Sequence, residues 1–201
     1  MILLIAIALA YLLGSIPTSF WLGKLVKGID IREHGSKNPG ATNALRVLGK
    51  PLGFTTLLVD ILKGTAAVLV AMKLLGITLD WQLLLVGLAA VSGHIFTLFL
   101  RFKGGKGVAT TFGIFLALAP WATIYTLGIF IIVVTLSRYV SLGSIISAVC
   151  FPLFIYLIDG NILYTALAIL IGTFIIWRHR SNIQRIREGK ENKMVSSLSG
   201  D

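Results

Sequence analysis

Charged side chains are scarce in this chain of 201 residues. They make up 13% of the sequence, whereas hydrophobic residues make up 56%, and a soluble globular domain carries about 25% charged residues. So little polar surface cannot cover a water-exposed domain of this size. The composition therefore excludes an ordinary soluble protein and predicts one that is embedded in a membrane.

Cysteines and acidic residues are few as well. The single cysteine, Cys150, stands inside an apolar stretch and can supply neither a disulfide framework nor a thiolate metal site, so we expect it to serve in packing. The eight acidic residues include no closely spaced pair of aspartates, which metal-dependent phosphoryl transfer needs. We therefore expect no bound metal and no cofactor.

Long apolar runs, by contrast, fill most of the chain. We expect an all-α integral membrane protein with one membrane-embedded domain over residues 1–193, and a variable tail or expression remnant over residues 194–201. Ala8-Leu9-Ala10 resembles a signal-peptidase site, but no positive segment precedes it, so we expect the first run to be retained. The seven apolar stretches cover residues 2–22, 52–75, 79–100, 107–119, 121–136, 142–158 and 162–177.

The distribution of positive charge predicts how these stretches cross the membrane. Residues 107–119 reach only about 20 Å as a helix, whereas a helix continued through Pro120 would reach about 45 Å, and the hydrocarbon core is about 30 Å thick. With the two stretches separate and the N-terminus outside, all but Lys63 and Lys73 of the 18 lysines and arginines lie on the inner side. We therefore predict seven transmembrane helices, the fourth short or tilted, with a cytoplasmic C-terminus.

Three polar clusters fall on the predicted inner side, and the first reads GSKNPGATNALR, residues 35–46. Its glycines let backbone N–H groups approach an anion, its Ser, Thr and Asn side chains add donors, and its Lys and Arg supply the countercharge. Tight turns between spans use the same residue types. Alone, this pattern indicates a phosphate site only weakly.

The second cluster joins His94 to a turn, Lys103-Gly104-Gly105-Lys106, ahead of the short fourth helix. A Gly-rich turn that leads into a helix N-terminus offers an anion free N–H groups and a favourable dipole. It is not a Walker A loop, because Leu100 stands where the first glycine would be and Gly107 follows the lysine. His94 is either a buried interhelical histidine or a functional group at the rim of a polar cavity, and the neighbouring glycines favour the second role.

The third cluster is the basic segment WRHRSNIQRIREGKENK, residues 177–193. A basic tail after a last span usually attracts lipid head groups, but the His-Arg-x-Asn sequence within it is less generic. A separate charged pair, Asp60 and Lys63, lies three residues apart inside the second stretch, where each can neutralise the other. We interpret this pair as structural.

Two kinds of function fit these clusters. Three donor-rich loops on one face suit a reaction between phosphorylated molecules, and an acyl transfer in which phosphate leaves needs anion sites but no metal. The alternative is a transporter or scramblase for a phosphorylated metabolite or lipid, because basic half-helix sites also occur in carriers. The clustering at one membrane face, rather than at the midplane, favours the enzyme.

Three segments resemble, in the same order, the three motif regions of the bacterial acyl-phosphate:glycerol-3-phosphate acyltransferases, the PlsY family: GSKNPGATNALR, GHIFTLFLRFKGGKGVAT and HRSNIQRIREGKENK. The resemblance runs from GSIPTS at residues 14–19 to about Lys193. It implies a multi-pass protein of the bacterial inner membrane whose active site faces the cytoplasm. Such a protein transfers a long-chain acyl group from acyl phosphate to the 1-hydroxyl of glycerol 3-phosphate, giving lysophosphatidate and phosphate. Membrane lipids, but no nucleic acid, are the other partners implied.

The resemblance also implies a set of site residues. We expect catalytic roles for His94, Ser36 and Asn38. Our hypothesis places Ser36, Arg46 and the turn 103–106 on the acyl phosphate, and His179, Arg180 and Asn182 on glycerol 3-phosphate. The full substrate-binding set expected is Asn43, Arg46, Lys103, Gly104, Gly105, Lys106, Thr110, His179, Arg180, Asn182 and Glu191.

The general base has two candidates. The His-x-x-x-x-Asp dyad of other glycerolipid acyltransferases is absent, because Pro39, Phe99 and Gln184 stand five residues after the three histidines. The base is then either His94 or the phosphate of glycerol 3-phosphate, whose second pKa of about 6 leaves it mostly dianionic at neutral pH. We favour the substrate phosphate.

Overall fold

The computed structural model describes residues 1–194, which contain helices, turns and loops but no strand. This confirms the all-α prediction. The helices are α1 (Ile2–Ser15), α2 (Thr18–Lys27), α3 (Ala41–Val47), α4 (Lys50–Leu69), α5 (Asp80–Ile95), α6 (Val108–Leu118), α7 (Pro120–Ser137), α8 (Val140–Phe154), α9 (Ile162–Arg178) and α10 (Arg180–Arg187). Short 3-10 turns cover Ile31–Glu33 and Leu98–Leu100, and one π turn each extends α4 and α8, over Val70–Leu74 and Ile155–Asp159.

Several of these helices are built to cross a membrane. Three segments of the described chain are long and apolar enough to do so, namely Asp80–Leu100, Pro120–Ser137 and Val140–Asp159. The number rises to five if two bent pairs each form one span: α1 with α2, bent by 40°, and α9 with α10, bent by 54°. Helix α6 has 11 residues, as predicted for a short fourth stretch. The count of seven spans stays a prediction.

Prolines set two of the helix boundaries. Pro17 disfavours helical geometry at Ile16, where the backbone is extended (φ −56°, ψ 112°), so the first apolar stretch forms two helices instead of one. Pro120 occupies the first position of α7, where its missing N–H costs nothing. Stretches 107–119 and 121–136 are therefore separate helices, as predicted.

The described chain forms two compact units, Met1–Pro120 and the residues from Trp121 onward. Within the first unit, α1 packs on α5 and α4 on α6. Both crossings bring backbones together: a Cβ on Gly14 would collide with the carbonyl of Ala90, and one on Gly113 with the carbonyl of Ile61. Small residues permit such close approach between membrane helices, where van der Waals packing drives association.

Within the second unit, α8 packs on α9, and Gly172 lies close to the backbone of Ala148. Helix α9 begins at a side-chain cap, because the Asn161 side chain accepts hydrogen bonds from the N–H groups of Leu163 and Tyr164. The prediction of one domain over residues 1–193 stays a prediction. Apart from Met194, the predicted tail lies outside the described residues.

The crossing of α4 and α6 yields a stability prediction. Gly113→Ala places a methyl group against the α4 backbone, and we expect the free energy of unfolding to fall by about 1–3 kcal/mol, the usual cost of overpacking. Gly128→Ala is the matched control, because a Cβ at Gly128 meets no neighbouring atom within 4 Å. Thermal unfolding in detergent, followed by tryptophan fluorescence, measures both variants. Equal melting temperatures for the two would contradict the close crossing.

Candidate active site

A small hydrophobic core anchors the first polar cluster. Ile31, Ala44 and Leu48 are buried together beneath it. In the loop just before this cluster, Arg32 donates two hydrogen bonds to the Asp30 carboxylate, at 3.0 and 2.7 Å. The hydrogen bonds from Arg32 are the main reason that the pKa of Asp30 falls to about 2 from its ordinary 3.8. The core attaches the cluster to the rest of the unit, because Phe20, Leu22 and Leu52 pack against it, and the Arg32–Asp30 pair is a local bond within the preceding loop.

Asn43 braces the loop that carries Ser36. Its side-chain oxygen accepts a hydrogen bond from the Ser36 N–H at 2.9 Å, and its amide nitrogen donates to the carbonyls of Ile31 and His34 at 3.3 and 3.1 Å. Gly35 adopts a positive φ of 58°, and a Cβ there would collide with the Asn43 side chain. Ser36 itself is exposed, whereas Asn38 and Arg46 are half-buried. The loop is therefore folded around Asn43.

The second cluster is assembled at the C-terminal end of α5. The backbone N–H of Gly105 donates to the carbonyl of His94 at 3.1 Å, and that of Gly104 donates to Ile95 at 2.9 Å. A Cβ on Gly104 would collide with the His94 carbonyl, and one on Gly105 with Nε2 of the buried His94 ring. Only glycines fit at these two positions, so the turn is held against the end of α5.

The turn leads directly into α6, as predicted. Gly107 stands before the first residue of α6 with a positive φ of 86°. Thr110, in the first turn of the helix, is fully buried, and its hydroxyl makes no hydrogen bond within the described part of the chain. Lys103 is exposed and Lys106 half-buried. Two cations therefore flank the paired glycines at a helix N-terminus, an arrangement suited to an anion.

A small cavity in the first unit brings the first and second clusters together. Pro39 of the first cluster lines it, together with His94, Gly104 and Gly105 of the second. Most of the other residues that line this cavity were not predicted from the sequence. The run GSIPTS, residues 14–19, interrupts an apolar stretch with hydroxyl groups and a proline, and it could have pointed to them. The other polar lining residues are Ser15, Thr18, Asp60 and Thr97.

In the second unit, Glu191 is the centre of the third cluster. One of its oxygens accepts hydrogen bonds from Ser141 at 2.8 Å and from Asn182 at 2.7 Å, and the other accepts from Arg185 at 2.7 Å. Burial alone would raise the pKa of the Glu191 carboxyl, but these three donors outweigh it and hold the pKa below its ordinary value. The ionised Glu191 thus ties α10 to the first turn of α8.

His179 and Arg180 stand where α9 meets α10. The His179 ring is buried, and its Nδ1 lies 2.8 Å from the carbonyl of Ile175. A carbonyl only accepts, so Nδ1 carries a proton. Arg180 is exposed, with its guanidinium 4.6 Å from the ring centre of Trp177. The structure thus brings His179, Asn182 and Glu191 into one short segment of this unit.

Comparison with known proteins gives one consistent result. The family model for glycerol-3-phosphate acyltransferase matches residues 4–189. The glycerol-3-phosphate acyltransferase of Geobacter sulfurreducens is 49% identical over 190 residues, covering 94% of this chain and 96% of that protein. The enzyme of the same name from Fusobacterium nucleatum is 46% identical over 187 residues, covering 93% and 95%.

Two solved structures are similar over almost the whole chain. Both are of PlsY (YgiH), an integral membrane glycerol 3-phosphate acyltransferase, and both are 40% identical to this chain. The glycerol 3-phosphate form has a TM-score of 0.89 and covers 98% of this chain and 96% of its own. The lysophosphatidic acid form has a TM-score of 0.86, with coverages of 95% and 94%.

The Glu191 network yields a pH prediction. Because the pKa of Glu191 is lower in the folded protein than its ordinary value of 4.5, the network stabilises the fold above that pH, and the stabilisation is lost on acidification. We expect Glu191→Gln to reduce the free energy of unfolding at neutral pH by about 1.5–3 kcal/mol, the usual contribution of a hydrogen bond to a charged group. Thermal unfolding across a pH series measures this.

Glu188→Gln is the matched control, since Glu188 is exposed and bonds to Gln184 and Lys190 at the surface. The thermal unfolding of this variant should match that of the unsubstituted protein at every pH. The difference between Glu191→Gln and the unsubstituted protein should shrink as the pH falls below 4.5. A pH-independent difference would contradict the assignment.

Proposed function

Because this chain belongs to the glycerol-3-phosphate acyltransferase family, we propose that it transfers an acyl group from acyl phosphate to the 1-hydroxyl of glycerol 3-phosphate. It is an integral membrane acyltransferase of phospholipid synthesis. The observation that carries the proposal is the cavity where Pro39, His94 and the paired glycines meet. The similar structures, one in a glycerol 3-phosphate form and one in a lysophosphatidic acid form, supply further support, because these molecules are a substrate and a product of this reaction.

The proposed reaction needs only anion sites and a base. The 1-hydroxyl oxygen attacks the carbonyl carbon of the acyl phosphate, and a new ester C–O bond forms. The bond between that carbon and the phosphate oxygen then breaks, and inorganic phosphate leaves with its electron pair. The hydroxyl proton passes to the base. Donors that are already oriented toward the leaving phosphate stabilise its charge without reorganisation.

The three clusters divide between the two substrates in this proposal. Ser36, Arg46 and the turn 103–106 hold the acyl phosphate, with Asn38 and His94 beside the reacting groups. His179, Arg180 and Asn182 hold glycerol 3-phosphate. Asn43, Thr110 and Glu191 are the remaining members of the expected substrate-binding set. The internal hydrogen bonds of Asn43 and Glu191 support a role in holding the loop and α10 in place, and not only contact with substrate.

The proposed topology is the one predicted from charge: seven spans in the bacterial inner membrane, with the N-terminus outside. The three polar clusters then face the cytoplasm. Acyl phosphate and glycerol 3-phosphate are the small-molecule partners, and the acyl chain enters from the lipid between spans, because burying each CH₂ is worth about 0.8 kcal/mol. The short α6 and the exposed apolar side chains of α7, such as Trp121 and Ile131, fit this placement.

Phosphate release by the purified protein tests the function. We expect release from acyl phosphate that depends on glycerol 3-phosphate, yields lysophosphatidate and continues when a metal chelator is present throughout. A folded sample that turns over neither acyl phosphate nor acyl-CoA nor acyl carrier protein donors would contradict the proposal. Uptake of glycerol 3-phosphate into liposomes by the same sample would instead support the transporter alternative.

The identity of the base gives a second test at this site. If the substrate phosphate accepts the proton, His94→Gln should keep the shape of the pH dependence of kcat, with an effect mainly on KM. The matched control is His34→Gln, because His34 is an exposed histidine of the same unit. Steady-state kinetics over a pH series provides the measurement. A loss of about a hundredfold or more in kcat, together with loss of the acidic limb, would make His94 the base.

A further inference from the structure

Asp60 and Lys63 form an ion pair inside the first unit, on the buried face of α4. Their side chains are 2.8 Å apart, and the two residues are 3% and 5% exposed. Charged groups within a membrane span are costly, and they usually mark a functional position. A buried ion pair is also weak evidence for stability, because its desolvation offsets much of the attraction between the charges.

Both members of the pair contact the break between α1 and α2. Lys63 Nζ donates to the carbonyl of Ile16 at 2.9 Å, and the Thr18 hydroxyl donates to Asp60 Oδ1 at 3.3 Å. The Ile16 carbonyl also accepts a hydrogen bond from the Thr18 N–H at 3.1 Å, so Lys63 is its second donor where α1 ends. The pair therefore holds two backbone positions of the break against α4.

The same carboxylate oxygen faces His94. Asp60 Oδ1 lies 3.8 Å from Nδ1 of the His94 ring, which is an electrostatic neighbour but too long for a hydrogen bond. The other ring nitrogen, Nε2, faces Gly105 so closely that no Cβ fits between them. Asp60 thus lies on one side of the imidazole and the turn lies on the other.

We propose that the Asp60–Lys63 pair is a positioning device for the turn 103–106, acting through His94 and through the break between α1 and α2. This inference rests on the proposed function, in which that turn binds a substrate phosphate. The connection is continuous in space: Asp60 faces His94, the His94 carbonyl accepts the N–H of Gly105, and Asp60, His94 and Gly105 line one cavity. Substituting the pair therefore shifts the turn.

Substrate-resolved kinetics of a neutral double variant tests the inference. Asp60→Asn combined with Lys63→Met removes both charges at similar side-chain size, so no uncompensated charge stays buried. The KM for acyl phosphate should rise about tenfold, while the KM for glycerol 3-phosphate changes by less than about twofold. A selective rise for glycerol 3-phosphate would still support the positioning role, and would reassign the turn to that substrate.

Thr56→Val is the matched control on the same helix. Thr56 is fully buried one turn before Asp60, and its hydroxyl bonds only within α4, to the carbonyl of Leu52 at 2.8 Å. Thr56→Val removes this buried hydroxyl without affecting the turn 103–106, so the KM values of this variant for both substrates should stay near those of the unsubstituted protein. A double variant whose KM values match those of Thr56→Val would overturn the inference, whatever its melting temperature.

Variants of Thr18 test the inference independently if the double variant does not fold. Thr18→Val removes the hydrogen bond to Asp60, whereas Thr18→Ser keeps the hydroxyl donor. The valine variant should show the same selective rise in KM, by about threefold, and the serine variant should restore the KM. Identical kinetics for the two variants would overturn the inference.

Assaying the unsubstituted protein in parallel distinguishes a failure of the positioning role from a failure of the proposed function. Turnover by the unsubstituted protein, with KM values unaltered in the double variant and in Thr18→Val, would overturn only the positioning role. A lack of turnover by the unsubstituted protein would overturn the proposed function and this inference together.

Discussion

Buried backbone groups at a helix break need hydrogen-bond partners, and this constraint shapes the first unit. The helical structure is interrupted at Ile16 and Pro17, between α1 and α2. The carbonyls at the end of α1 receive side-chain donors from another helix and from a loop: Lys63 donates to Ile16, and Thr97 donates to Ser15. Because a buried backbone group without a partner is costly, buried polar residues gather at this point. The cavity forms where they gather.

The close helix crossings follow from the same arrangement. Lys63 reaches Ile16 where α4 packs on α1, and the same two helices pack tightly on other neighbours, α1 on α5 and α4 on α6. The glycines at these crossings allow backbone atoms to approach where any side chain would collide, as Gly93 does against the carbonyl of Tyr11. In a lipid environment, packing and interhelical hydrogen bonds replace the hydrophobic driving force between helices. The polar site and the tight apolar packing therefore depend on each other.

Much of this organisation can be predicted from the sequence, and the part that cannot has identifiable causes. Apolar length predicted helices, and Pro120 predicted the boundary between α6 and α7. The pattern of glycines and donors predicted the turn against His94. The break at Pro17 was missed, because residues 2–22 were interpreted as one apolar stretch although GSIPTS, residues 14–19, interrupts it.

The contacts of Asp60 were underestimated for a different reason. Its spacing from Lys63 reveals a partner on the same helix but not the two other segments that contact it, through Thr18 and His94. Those contacts depend on tertiary packing, which no local pattern encodes. The same holds for Asn43 and Glu191, for which the family resemblance implied contact with substrate, while the structure also shows them bonded within their own segments.

The carboxylates of the site bear on the choice of base. A general base works best when its pKa lies near the operating pH. Arg32 holds the pKa of Asp30 at about 2, and the donors around Glu191 hold its pKa below the ordinary range. Asp60 is bonded to Lys63 and Thr18. Asp30 and Glu191 therefore fix structure and are poor proton acceptors at neutral pH, whereas Asp60 balances the charge of Lys63. The phosphate of glycerol 3-phosphate, with a second pKa of about 6 by analogy with other phosphomonoesters, arrives with the substrate and needs no buried carboxylate to activate it.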